Sequence, residues 1–202
     1  MAQKDPSLDQ AIVDAARAEF LAHGFQNASL HKIAQRAGTT TGALYTRYES
    51  KDALFCSLVS PTLELIRDRL APVEQRYMDA QALRSREALM EAIRYEEQFY
   101  LDLLFSNYED CVLFFCRNEG SSLEQAIRDL TEKKTRQTIE YFRAMARKPL
   151  DLDGLQLIVS NQFHCYRQIL LDGCSKEKAK SCLETLDIFL EAGWKAIFDS
   201  IL

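Results

Sequence analysis

The sequence predicts an all-α protein in two parts, a small amino-terminal unit of short helices followed by a larger bundle of long ones. Three observations carry this. Punctuation is sparse, with only 7 Gly and 4 Pro in 202 residues, which favours long helices over many short strands. Apolar residues recur at helical spacing, not in alternation. Ser, Thr and Gly fall where helices need caps. A hydrophobic fraction of 47% with 27% charged residues is ordinary for a globular chain that buries a core.

The first helix spans about Leu8 to His23, with Ile12, Ala15, Ala16, Glu19 and Phe20 at its spacing, Ser7 as N-cap and Gly24 as C-cap. The second starts at Ser29, whose hydroxyl caps it, and runs through Leu30, Ile33, Ala34 and Ala37 to Gly38. Thr39 or Thr40 caps the third, which carries Leu44, Tyr45 and Tyr48, and Ser50 caps a fourth with Leu54, Phe55 and Leu58 on its face. Pro61 predicts a kink or break near Ser60, and a weakened pattern from Pro72 to Leu83 predicts a connection. Further helices follow at about Ser85 to Phe105, Tyr108 to Arg117, Ser122 to Arg147, Leu152 to Asp172 and Lys176 to Ile201. The domain boundary is placed between residues 50 and 51, giving units 1–50 and 51–202.

Short helices gain little from propensity and must be held by packing. Ile12, Phe20, Phe25, Leu30, Ile33, Ala34, Leu44, Tyr48, Leu54 and Phe55 supply a miniature core, and Gly38 permits a turn with positive φ between two helices. This is a helix-turn-helix over residues 29–48, whose second helix can lie in a DNA major groove. The bland alternative is a packing turn inside a bundle. What shifts the balance is the chemistry not needed for packing: Thr39, Thr40, Thr41, Tyr45, Thr46 and Arg47 cluster at the third helix, and Lys51 begins the next. Hydroxyls and free N–H groups at a helix start suit phosphate, basic side chains add charge, and Gly42 and Ala43 allow close approach. The chain as a whole carries −5, which argues against indiscriminate coating of nucleic acid. Yet between Asn27 and Lys51 the basic residues Lys32, Arg36, Arg47 and Lys51 face Glu49 alone.

The segment "AIVDAARAEFLAHGFQNASLHKIAQRAGTTTGALYTRYESKDALF", Ala11 to Phe55, resembles the tetracycline-repressor (TetR) family. The match lies in a first helix ending in Gly-aromatic, an Ile-Ala-x-x-Ala-Gly turn, Gly-x-Leu-Tyr and a closing Lys-x-x-Leu-Phe. It covers about a quarter of the chain, and the combination is far more specific than a lone Ala-Gly turn. The resemblance implies a homodimer that binds a palindromic double-stranded DNA operator through two heads and represses transcription until a small molecule enters the bundle. Carried over by position, Thr40 and Tyr45 hold phosphates, Lys51 touches the DNA backbone, and Ser29 caps its helix and contacts phosphate. Thr41, Ala43, Thr46 and Arg47 face the groove or its edge, and Thr39 adjoins them. Thr39, Thr41 and Thr46 depart from the residues frequent in the family, so the operator sequence does not transfer.

In the last helix Leu183, Leu186, Leu190, Trp194, Ile197 and Ile201 form one stripe, widened by Ile188, Phe189, Ala192 and Ala196. A helix so broadly apolar needs cover on two sides. The expectation is an isologous four-helix interface made with the helix from Leu152, carrying His164, Leu186, Leu190, Trp194 and Ile197. A ligand pocket is expected where polar groups interrupt apolar stripes: Glu96 beside Phe99, Tyr100 and Leu103, and Lys134 and Thr138 beside Tyr141, with Phe115 and Phe163 nearby. The competing readings are an aromatic core and a simple Glu96–Lys134 ion pair, and the effector is unknown.

No reaction, cofactor or metal is expected. The glycines form no phosphate loop, the three histidines lack metal-ligand spacing, and the six cysteines lack CxxC spacing and read as buried reduced thiols. No signal-peptide or membrane-spanning pattern occurs, so the chain is expected in the cytoplasm. Three function classes stay open: a ligand-released dimeric repressor, a DNA-binding activator or organising protein of the same build answering to a protein partner, and a ligand-binding module without DNA.

Overall fold

A computed structural model describes the backbone of residues 6–149 and 151–201, and the side chains of these except Leu130, Phe163, Lys176 and Ile201. Among them the chain forms nine helices and no strand: α1 (Pro6–Asn27), α2 (Leu30–Arg36), α3 (Thr41–Arg47), α4 (Lys51–Leu83), α5 (Arg86–Ser106), α6 (Tyr108–Cys116), α7 (Leu123–Met145), α8 (Leu152–Leu171) and α9 (Lys176–Ile201). Local chemistry sets the first boundaries. Gly24, at φ +72°, breaks the helical path of α1 close to its end. The hydroxyl of Ser29 accepts from Lys32 N at 3.4 Å, and that of Ser50 accepts from Ala53 N at 2.9 Å. Of the two threonines open as cap of α3, Thr40 serves, its Oγ1 accepting from Ala43 N at 3.1 Å.

Two expectations fail on the fourth helix. Neither a break near Ser60 nor a connection from Pro72 to Leu83 exists, because α4 runs through both prolines as one helix. Each proline forfeits one backbone hydrogen bond. Both are exposed, while the opposite side keeps an unbroken buried stripe through Leu58, Thr62, Ile66, Leu70, Val73 and Ala80. Burial along that stripe outweighs a cost that the sequence pattern treats as decisive.

The chain divides into two compact units, residues 1–64 with 107–127, and residues 65–106 with 128–202. The first is thus larger than the expected 1–50 unit, because α6 and the following turn pack into it. Arg17 pairs with Asp110, which also accepts from Thr62 Oγ1 at 3.2 Å. Phe25 N donates to Arg117 O at 2.8 Å. The Asp52 carboxylate accepts from Ser122 N at 2.9 Å and Ser122 Oγ at 2.7 Å. Burial pushes this carboxyl up, but the two Ser122 bonds prevail and hold it below the usual range. The core of this unit is the ring trio Phe20, Phe25 and Phe55, whose centroids lie 5.0–6.2 Å apart, with Ile12, Ile33, Ala34, Leu44 and Leu54 closed around it.

The second unit is built on a different aromatic cluster. Phe142 of α7 packs at 5.0 Å on Trp194 and 4.8 Å on Phe198 of α9, joined by Leu89, Leu155, Val159 and Leu190. Leu190 and Trp194, expected at an interface between copies, are therefore spent inside the protomer. The stripe that carried them belongs to the unit's own core. No helix among the described residues is long and apolar enough to cross a membrane.

Candidate nucleic-acid interface and effector cavity

The turn between α2 and α3 is closed by Gly38, at φ +66°, with Gly38 N donating to Gln35 O at 3.2 Å and Thr39 N to Ala34 O at 2.9 Å. Positive φ here suits a residue without Cβ, and Ala34 is buried under the crossing. Only Leu44 of α3 is fully buried, so the short helix presents the rest of its surface outward. Thr40, Gly42, Tyr45 and Thr46 are exposed, Tyr45 at 54%. Ser29, Thr39, Thr41 and Ala43 are half-buried at its edges. The Thr46 hydroxyl donates to Gly42 O at 3.0 Å. On α2 the exposed basic side chains are Lys32 and Arg36.

Two expected contact residues are otherwise engaged. Arg47 Nε pairs with Asp9 of α1 at 2.5 Å, and its guanidinium also reaches Ala43 O at 3.5 Å. It ties α3 to α1 in place of standing free at the groove edge. Lys51 Nζ donates to Gln26 O at 3.0 Å and Ala28 O at 3.4 Å, and sits 4.7 Å from the centre of the Phe25 ring. These carbonyls lie just beyond the Gly24 break, where a helix end leaves acceptors without internal partners. Sequence reasoning also missed Glu19, a buried carboxylate whose Oε1 accepts from Ser29 N at 3.1 Å. The signal was a lone acid on an apolar helix face.

In the second unit, Glu96, Tyr100, Lys134, Thr138 and Tyr141 line one small cavity of about 40 Å³, together with Tyr77, Gln162, Tyr166 and Trp194. Its polar centre is a near-buried network: Lys134 Nζ lies 2.7 Å from Glu96 Oε1, and Tyr77 OH donates to Glu96 Oε2 at 2.6 Å. Burial first, then the Glu96 charge, pushes the Tyr77 and Tyr100 phenols well above their usual range. The buried Tyr141 OH has no partner among the described residues, and burial pushes it up to about 12. A groove of about 230 Å³ shares Tyr77, Lys134, Thr138 and Tyr141 with the cavity and opens past Met78 and Gln81.

The remaining expected contacts are dispersed. Phe99 and Leu103 are buried but do not line this cavity. Phe115 belongs to the first unit, its ring 4.7 Å from that of Phe114, and the side chain of Phe163 lies outside the described residues. Tyr77 was missed because Pro72 to Leu83 read as a connection. Of the expected interface residues, His164 is exposed, and Leu186 and Ile197 are half-buried against the core cluster. The strongly exposed apolar side chains of the last two helices are Leu157 of α8 and Ile188 and Phe189 of α9, each more than 70% exposed.

Residues 12–58 match the family model of bacterial regulatory proteins, tetR family. Comparison with curated protein sequences gives no match. Among solved structures, a TetR-like transcriptional regulator from Rhodococcus sp. RHA1 is 17% identical with a TM-score of 0.59, over 95% of this chain and 99% of that one. The transcriptional regulator FadR from Bacillus subtilis, solved in complex with stearoyl-CoA, is 17% identical with a TM-score of 0.53, over 88% and 97%. NalD, the secondary repressor of the MexAB-OprM multidrug efflux pump in Pseudomonas aeruginosa, is 17% identical with a TM-score of 0.55, over 90% and 93%. Residues 12–58 thus carry the amino-terminal helix-turn-helix segment of the tetR-family model, and the described helices share the all-α fold of these solved regulators.

Proposed function

We propose that the protein is a homodimeric repressor that occupies a palindromic operator and leaves it when a small molecule enters the second unit. The observation that carries the reading is the division of labour on α3. Leu44 anchors the helix to the core, while Thr40, Tyr45 and Thr46 stand exposed around Gly42. A short helix bearing hydroxyls, with Lys32 and Arg36 beside it, suits phosphate positioning plus base-edge readout. In this reading Thr40, Tyr45 and Ser29 hold phosphates, Thr41, Ala43 and Thr46 meet the groove, and Lys51 and Arg47 brace the head.

Control by a ligand is supported by the Tyr141 hydroxyl, unpartnered among the described residues, and the Glu96–Lys134 pair beside a cavity that shares wall residues with an open groove. At about 40 Å³ the inner space suits water-sized occupants, since a drug-sized ligand needs several hundred Å³. An effector therefore enters by shifting the shared side chains Tyr77, Lys134 and Tyr141. The similar proteins bound to stearoyl-CoA or named for an efflux pump motivate a screen of acyl thioesters and amphipathic drugs. Dimerisation is supported by the exposed Leu157, Ile188 and Phe189, which a monomer leaves in water.

The test is fluorescence anisotropy of an operator selected from random duplexes, titrated with protein and then with each compound. Release by at least one compound, abolished by Lys134→Met, is the expected result. Operator binding that no compound alters, with release on addition of a cell-extract protein, would favour control by a protein partner.

A further inference from the structure

A second cavity of the same unit collects carboxylates. It measures about 240 Å³ and is lined by Ile93, Arg94 and Glu97 of α5, Tyr166 of α8, and Asp187 and Glu191 of α9. Glu97 is only 9% exposed, and among the described residues nothing hydrogen-bonds or ion-pairs with it. Arg94, the cation on the cavity wall, is engaged at the exposed rim, 3.4 Å from Glu191. Burial drives the Glu97 carboxyl up to about 8, and Asp187, Glu96 and Glu191 add to that rise against Arg94. Asp187 is itself raised, by burial and then by Glu184 and Glu191. A buried acid without a counter-charge costs stability, and an arriving positive charge would recover it.

Among the described residues no group of three or more His, Cys, Asp or Glu side chains is placed to hold a metal ion. The rest of the wall comes from the apolar Met90, Leu101 and Leu183 and from Gln98, whose amide donates to Asp102 at 3.0 Å. We infer that this cavity binds a small organic ammonium ion, with the charge between Glu97 and Asp187 and the alkyl chain on Met90, Leu101 and Leu183. The site stands apart from the cavity around Lys134 and goes beyond the proposed control by its occupant. The cation ionises Glu97 on binding, so a proton leaves as the ligand enters.

Isothermal titration of the full chain with hexylammonium, hexanol and hexanoate near neutral pH, in two buffers of different ionisation enthalpy, tests the assignment. Hexylammonium is expected to bind once per chain, about tenfold or more tighter than hexanol, with proton release, and hexanoate not at all. Glu97→Gln, which removes the buried acid and should melt no lower than the parent, and Asp187→Asn should each weaken hexylammonium by about tenfold. Equal binding of hexanol, absence of proton release, or unchanged affinity in both variants would overturn the proposal.

Discussion

Tyr45 is the exposed aromatic of α3, and its hydroxyl stands free for a phosphate. Tyr45→Phe removes that hydroxyl and nothing from the core. Its expected effect is a loss of about 1 kcal/mol in DNA affinity, uniform across operator variants because phosphate contacts position without specifying. Anisotropy on a panel of single-base variants checks this, and a sequence-selective loss would assign Tyr45 to base readout instead. Glu97 gives a second expectation at this scale. Its carboxyl titrates near 8 in the folded chain against an ordinary value of 4.5. Between those values the folded state holds a proton that the unfolded state has lost, so Glu97 lowers stability progressively as pH rises across that window. Thermal unfolding of Glu97→Gln should match the parent at acid pH and exceed it by several degrees on the alkaline side of the window. Identical melting curves throughout would contradict the burial of this acid.

At the scale of elements, the network Tyr77–Glu96–Lys134 joins α4, α5 and α7. Removing one partner of a buried pair leaves the other charge uncompensated, at a cost of about 3–5 kcal/mol. Lys134→Met and Glu96→Leu should each destabilise by that amount, and the double variant should recover most of the loss. Chemical unfolding of the three variants measures the coupling, and simple additivity would deny it. The same elements mark what could be read from the sequence. The starts of α2, α3 and α4 were legible because Ser29, Thr40 and Ser50 act on residues three positions ahead, within the reach of local reasoning. The unbroken course of α4 was not. Proline rules are local, whereas the stripe that overrides them at Pro61 and Pro72 draws on distant packing. Misreading that stretch also hid Tyr77, a member of the polar network. The place of α6 in the first unit depends on Arg17 meeting Asp110, a pairing across 93 positions that no pattern announces.

At the scale of the whole molecule, the breadth of the apolar surface on α9 was legible, but not which part faces inward. Leu190 and Trp194 fill the protomer's core, leaving Ile188 and Phe189 at the surface. The proposed dimer therefore rests on these two together with Leu157. Phe189→Glu combined with Ile188→Glu should leave the fold intact by circular dichroism and yield a monomer in sedimentation at micromolar concentration. It should also lose tight binding to a two-half-site operator, since a monomer engages one half-site only. A parent chain already monomeric under these conditions would remove the interface from the account. The central claim, a paired helix-turn-helix that reads DNA, is met most directly by selecting bound duplexes from a random pool with the purified parent protein. The expected result is enrichment of an inverted repeat whose half-sites face the same side of the duplex, with enrichment lost when Tyr45 and Thr46 are both changed to Ala. A pool that stays random, or one enriched for an isolated half-site, would contradict it.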